Sequence, residues 1–240
     1  MPLELITIPC LSDNYAFLLV NAAGEAALVD APEAAPVNAV LAARGLTLTT
    51  ILLTHHHWDH VEGLAGLTTA PSPRLIGAQA DAHRLPPLTE ALSEGERITV
   101  LGEEVDIYDV SGHTVGHIAF HFPASGLVFT GDSLMAFGCG RLFEGTPAQM
   151  YHSLAKLAAL PDETLVCSGH EYTASNARFA SAVMPDTSAI SARSAETDRL
   201  RSAGQFTIPS TLALEKATNP FLLAPDAGSF AKLRAQKDDF

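Results

Sequence analysis

Between Thr54 and His60 the chain reads Thr-His-His-His-Trp-Asp-His, directly after the apolar run at 50–53. No other feature limits its fold as strongly. In an extended turn His55 and His57 point to the same side, so one metal ion can take both. Asp59 and His60, where the chain turns into a helix, can face a second ion beside it. Imidazole combined with carboxylate suits zinc and its neighbours in the Irving–Williams series, and paired ions about 3.5–4 Å apart suit hydrolysis. His56 falls between the ligands and should point the opposite way, as support. Trp58 is expected to pack beneath the metal loop.

Three further candidates stand at or near strand ends: His113 in Ser-Gly-His-Thr-Val-Gly-His, Asp132 in Phe-Thr-Gly-Asp-Ser, and His170 in Cys-Ser-Gly-His-Glu-Tyr. A glycine precedes each and allows close backbone approach around an ion. Sites are commonly built from loops at one edge of packed sheets. Together these residues supply five histidines and two aspartates, enough for two metals with one bridging carboxylate. His117 and His121 alternate along a strand and read as structural or supporting groups, while His83 and His152 have no motif around them.

Short β-branched runs alternate with helical patterns through about the first 170 residues, as in layered architectures. Strands are predicted at 26–30, 50–54, 74–78, 98–101, 104–110, 117–122, 127–132 and 164–169, with a turn at 123–126 pairing two of them as a hairpin. A helix around Pro36–Arg44 closes at Gly45. Thr146, Pro147 and Gln149 resemble a capping box opening a helix through Leu160, which Pro161 stops. Beyond Tyr172 strand signals cease and Ala/Ser-rich helical windows follow, one over Ser188–Ser202 closed by Gly204. The expected division is therefore 1–172, carrying the metals, and 173–240, helical.

The net charge of −13 is unevenly spread: 6 Lys+Arg against 20 Asp+Glu up to Tyr172, 8 against 7 beyond it. An acidic surface repels phosphate backbones, which disfavours a nucleic-acid partner. If the ligand is an anion, the later segment is where its charge would be held. No apolar run approaches the ~18 residues needed to cross a bilayer, so no membrane partner is expected. The first residues carry acidic Glu4 rather than a basic leader. Three scattered cysteines lack CxxC spacing and read as reduced thiols. A cytoplasmic monomer is expected.

HxHxDH followed by a later His, an Asp after a strand and a final His resembles the metallo-β-lactamase superfamily. That resemblance implies an α+β fold, the αββα sandwich, here with a small C-terminal helical domain. It places His55, His57 and His113 on one metal, Asp59, His60 and His170 on the other, and Asp132 between them. Within the superfamily the chain is similar to the glyoxalase II (hydroxyacylglutathione hydrolase) family along nearly its whole length. The matching segments are IPxLxDNYxF, THHHWDH, SGHTVGHI, FTGDSL, GCGRLFEGT, GHEYT, IPSTLALE, NPF and KLRAQKDDF.

The resemblance implies hydrolysis of S-D-lactoylglutathione to D-lactate and glutathione by a metal-bridging hydroxide, with Asp59 and Asp132 as the catalytic carboxylates. Two divalent ions are implied, zinc first, with iron or manganese also suited to the ligands. Arg141, Phe143, Tyr172, Arg234 and Lys237 would hold the glutathione thioester, the last two from one helix face toward its glycyl carboxylate. Phe143 stands where some relatives have Tyr, leaving stacking without a hydroxyl. The competing expectation is a mononuclear iron persulfide dioxygenase acting on glutathione persulfide; such relatives share HxHxDH but lack the GCGRLFEGT loop and the closing basic cluster.

Overall fold

A computed structural model describes residues 2–240. The chain first lays down β1 (Glu4–Cys10), β2 (Asn14–Val20), β3 (Glu25–Val29), α1 (Ala34–Arg44), β4 (Thr47–Leu52), α2 (Trp58–Val61), β5 (Arg74–Ala78) and β6 (Glu90–Leu92). These six strands form one sheet in sequence order. β1, β2 and β3 are antiparallel and β3 through β6 parallel. The change of direction falls where α1 crosses from β3 to β4, since a parallel pair needs a crossover rather than a tight turn. Gly45 ends α1 in the left-handed conformation, as expected.

The second sheet begins with β7 (Arg97–Val100), β8 (Glu103–Asp109), β9 (Ile118–Phe122) and β10 (Leu127–Gly131), and a small hairpin of β11 (Leu134–Met135) and β12 (Gly138–Cys139) follows. After α3 (Pro147–Ala158) comes β13 (Leu165–Ser168), then α4 (Thr173–Val183), α5 (Ser188–Ser202), β14 (Ser210–Thr211), α6 (Leu212–Thr218) and α7 (Ala227–Asp238). The strand order is β14-β13-β10-β9-β8-β7, with only β10 and β13 parallel.

The sheets pack face to face. Phe17, Leu52, Phe120, Phe122 and Phe129 fill the space between them. Ile51 and Leu53 point the other way, onto Val37 and Leu41 of α1, while Val128 and Val166 face α3 and Phe230 of α7. Strands buried on both faces read as continuous apolar runs, which is why they were legible. Each fully buried Leu or Phe contributes about 1.5–3 kcal/mol. The layers are those of the expected αββα sandwich.

The capping box at Thr146 is present, with Gln149 N donating to Thr146 Oγ1 at 3.2 Å and Thr146 N to Gln149 Oε1 at 2.8 Å. Its helix ends at Ala158, two residues before the expected Leu160, because Leu160 N already turns back to Leu157 O. Strand structure also does not cease at Tyr172: β14 pairs with β13. A two-residue strand has no periodicity to read. The Ala/Ser-rich stretch divides into α4 and α5 around Pro185, which cannot continue a helix.

Candidate metal centre

All seven candidate ligands gather at one edge of the sandwich. His55 and His57 follow β4, Asp59 and His60 begin α2, His113 precedes β9, and Asp132 and His170 follow the parallel strands β10 and β13. Their ligand-grade atoms fall into three groups, each within 4.8 Å: His55, His57 and His113; Asp59, His60 and His170; and His55, His60 and Asp132. Asp132 sits between the first two groups. Its Oδ1 is 3.4 Å from His60 Nε2, and its Oδ2 is 3.4 Å from His113 Nε2 and 3.3 Å from His170 Nε2.

Four of the five histidines engage their outer ring nitrogen elsewhere. Nδ1 of His55 meets Thr54 Oγ1 at 3.0 Å, that of His60 meets Asp30 Oδ2 at 2.8 Å, that of His113 meets Arg141 O at 2.7 Å, and that of His170 meets Asp13 Oδ1 at 3.0 Å. Each Nε2 is thereby left to face the centre. Such partners fix tautomer and ring orientation around a metal. Asn14 Nδ2 donates to Asp59 Oδ2 at 3.1 Å, and His117 Nε2 accepts from Asp132 N at 3.1 Å while its ring stacks on His55 at 4.6 Å.

The donor set fits divalent cations. His55 Nε2, His60 Nε2 and Asp132 Oδ1 are buried without a hydrogen-bond partner, a costly arrangement unless something else satisfies them. The space is kept by glycine: a Cβ on Gly169 would lie 2.6 Å from His60 Cε1 and 2.7 Å from Asp132 Oδ1.

Burial, then the neighbouring imidazoles, pulls His57 down to about 4 and His117 to about 3. His60 and His170 move the other way, to about 10 and about 11. Burial alone would lower both, but Asp132 and Asp30 beside His60, and Asp132, Asp59 and Asp13 around His170, outweigh it. Burial likewise works against Asp59 and Asp132, yet His170 and His60 hold both below the usual carboxylate range. The surrounding carboxylates therefore favour the protonated forms of His60 and His170.

A cavity of about 710 Å³ opens over this cluster, and Arg141, Phe143, Tyr172, Arg234 and Lys237 all line it. Phe143 meets His57 and His113 edge-on at 5.7 and 5.2 Å, and Tyr172 stacks flat on His170 at 4.6 Å. Lys237 Nζ lies 5.3 Å over the Phe179 ring. Arg234 lines the cavity with its guanidinium already engaged. It is buried, with NH1 donating to Cys139 O and NH2 to Asp238, both at 2.9 Å. Asp238 Oδ1 also lies 3.3 Å from Arg141 Nε, an acidic member of the cluster that sequence reading passed over.

Trp58 does not pack beneath the loop. It is 63% exposed and lines the cavity. With His57 and Asp59 on either side turned toward the cluster and His60 filling the buried face of a four-residue helix, the indole is left at the mouth. His56 turns away from the cluster, to Asp81, as expected. Asp13, Asn14 and Asp30 were not singled out. Asp30 alone left a local trace, an aspartate closing an apolar strand, where it adopts a left-handed backbone with φ 56°.

Residues 12–170 match the metallo-beta-lactamase superfamily and residues 171–240 match the hydroxyacylglutathione hydrolase C-terminus. A hydroxyacylglutathione hydrolase from Ruegeria pomeroyi is 61% identical, with 100% of both chains covered. Among solved structures, ETHE1 from Myxococcus xanthus superposes with a TM-score of 0.70 at 25% identity, covering 98% of this chain and 90% of that one. A protein crystallised in a di-iron-bound form superposes at 0.65 with 26% identity, covering 91% and 100%.

Proposed function

The chain belongs to the hydroxyacylglutathione hydrolases of the metallo-beta-lactamase superfamily, and on that premise we infer that it cleaves S-D-lactoylglutathione to D-lactate and glutathione. One observation carries the reading: the seven-ligand cluster and a basic, aromatic-walled recess share a single cavity. We assign residues 1–172 to the metal domain and 173–240 to substrate binding. His55, His57 and His113 would hold one divalent cation, Asp59, His60 and His170 the second, and Asp132 would bridge them.

Zinc is the first choice, and iron is supported by the related di-iron-bound fold. When bound, two such cations would supply Lewis acidity toward the thioester carbonyl and would make hydroxide available near neutral pH. Asp59, steadied by Asn14, would accept a hydrogen bond from the attacking water and keep it in line. A thiolate leaves readily near neutral pH, so no side chain is needed as a strong general acid. The Cys139 thiol, pushed up to about 11 by burial, stays protonated and takes no part.

Phe143 and Tyr172 flank the peptide, and Lys237 and Arg141 offer donors to its carboxylate. Arg234 adds charge from behind them, its NH1 and NH2 groups being engaged. The three unpaired, buried cysteines support a reducing compartment, and we place the enzyme in the cytoplasm as a monomer. Among the described residues no helix is long and apolar enough to cross a membrane.

The test is turnover of S-D-lactoylglutathione by the metal-replete protein beside its Asp132→Ala variant. The wild type should hydrolyse the thioester, and the variant should lose about 10³-fold or more in rate, the loss of several kcal/mol of transition-state stabilisation. No thioester hydrolysis, with oxygen consumed on addition of glutathione persulfide, would replace this reading with the dioxygenase.

A further inference from the structure

Beside the metal centre four polar side chains close a ring that joins three loops. Asp81 is fully buried, and its oxygens meet His56 Nδ1 at 2.8 Å and Arg84 Nε at 2.6 Å. Arg84 reaches onward to Glu144, NH1 to Oε1 and NH2 to Oε2 at 3.2 Å. His56 Nε2 lies 3.7 Å from Glu144 Oε1 and completes the circuit. Val115 is clamped in the same place, its N donating to Glu144 Oε2 and its O accepting from Arg84 NH2, both at 2.7 Å. Isolated surface pairs contribute little. This one is forked, about three-quarters shielded at Arg84 and Glu144, and anchored on a buried carboxylate.

Glu144 belongs to the irregular segment after β12 that also carries Arg141 and Phe143. The segment's backbone rests mainly on Gly112 and His113: Phe143 N and Glu144 N donate to His113 O, Gly145 N donates to Gly112 O, and Arg141 O pairs with His113 Nδ1, while Gly140 N donates to Ser133 O and Arg141 Nε lies 3.3 Å from Asp238 Oδ1. The Glu144 side chain adds a separate tie, to Arg84 and to Val115 N, away from the Gly112 and His113 contacts. Phe143, 62% exposed and next to Glu144 in the chain, meets His57 and His113 only edge-on, so little else holds its side chain.

We propose that Arg84 is a positioning residue for substrate recognition, which acts through Glu144 to set Phe143 and Arg141 over the cavity and so sets affinity for the thiol carrier, without entering bond cleavage. The carrier's identity rests on the hydrolase reading; the brace does not. A Lys at this position could not reproduce the planar fork.

The experiment compares wild type with Arg84→Ala, Arg84→Lys and Glu144→Gln. It reads kcat and KM for S-D-lactoylglutathione, metal content, and glutathione affinity from quenching of Trp58, the chain's one tryptophan, which lines the same cavity. Glutathione Kd and substrate KM should rise together by about tenfold in both Arg84 variants and about threefold in Glu144→Gln, with kcat within about twofold and metal content unchanged. In a Phe143→Ala background, Arg84→Ala should raise Kd by less than about threefold, because one effect runs through the other.

Metal loss with a fallen kcat, or a full tenfold effect that persists without Phe143, would overturn the proposal. Should Arg84→Ala not fold, unchanged Kd and KM in Glu144→Gln would overturn it instead. A wild type that binds glutathione but does not cleave the thioester sinks the hydrolase reading alone, and the Kd series still decides the role of Arg84. A wild type that does neither sinks both.

Discussion

At the candidate ligands beneath the cavity His55 and His60 are wholly buried and their outer nitrogens engaged, while on the wall proposed as the substrate side Phe143 is 62% and Arg141 57% exposed. The two sides meet at His113, whose ring faces the ligands and whose Nδ1 pairs with Arg141 O. A metal centre must present donors at set distances before the cation arrives, so its orientation is over-determined by Thr54, Asp30, Asp13 and Asn14. A wall that takes a peptide, the role proposed for Phe143 and Arg141, must admit and release its ligand, which exposed side chains permit. Burial and paired ring nitrogens are concentrated at the candidate ligands, and exposure on the wall proposed for the carrier.

The sharpest way to break this comparison is to loosen the metal side. Asp30→Asn keeps the shape and tolerates the left-handed backbone but removes the charge behind His60. Metal affinity at that position should fall about 10- to 100-fold, read by competition with a chromophoric chelator. An unchanged affinity would mean that the outer partners orient nothing.

On the substrate side, Lys237→Met should raise KM by about tenfold with kcat nearly unchanged, the loss of a charge-assisted hydrogen bond of about 1.5–3 kcal/mol. The wild-type KM should rise with added salt more steeply than the variant's, in which Arg141 and Arg234 remain. Equal loss in kcat would place Lys237 in the chemistry and blur the two regions.

The smallest effect concerns His117. It is held at about 3 when folded and lies near 6.5 when unfolded, so below pH 6.5 the unfolded chain takes up a proton that the folded one refuses. Its contribution is complete above pH 6.5 and is lost as pH falls toward 3. In metal-free protein His117→Gln should give a shallower fall of Tm between pH 6.5 and 4. A parallel fall would show that His117 is not neutral when folded.

The cluster of candidate ligands was legible because metal chemistry admits few residue types and HxHxDH packs four of them into six positions. The principal strands were legible because burial on both faces leaves continuous apolar runs. β14 was not, being two residues long, and Trp58 was misplaced because nothing local says which face of a four-residue helix meets solvent. Arg234 was read rightly as basic and near the cavity, but its engagement with Cys139 and Asp238 could not be read at all.

What the order of amino acids carried unaided was chemistry and rhythm: which side chains can bind a cation, where strands and helices run, and that charge of the needed sign collects late in the chain. Which carboxylate stands behind which imidazole was settled only in three dimensions. Asp13 and His170 are 157 residues apart, Asp30 and His60 thirty, and Arg84 and Glu144 sixty. Hydrogen bonds and ion pairs act over a few ångströms, and only the stacking of two sheets converts those separations along the chain into contact.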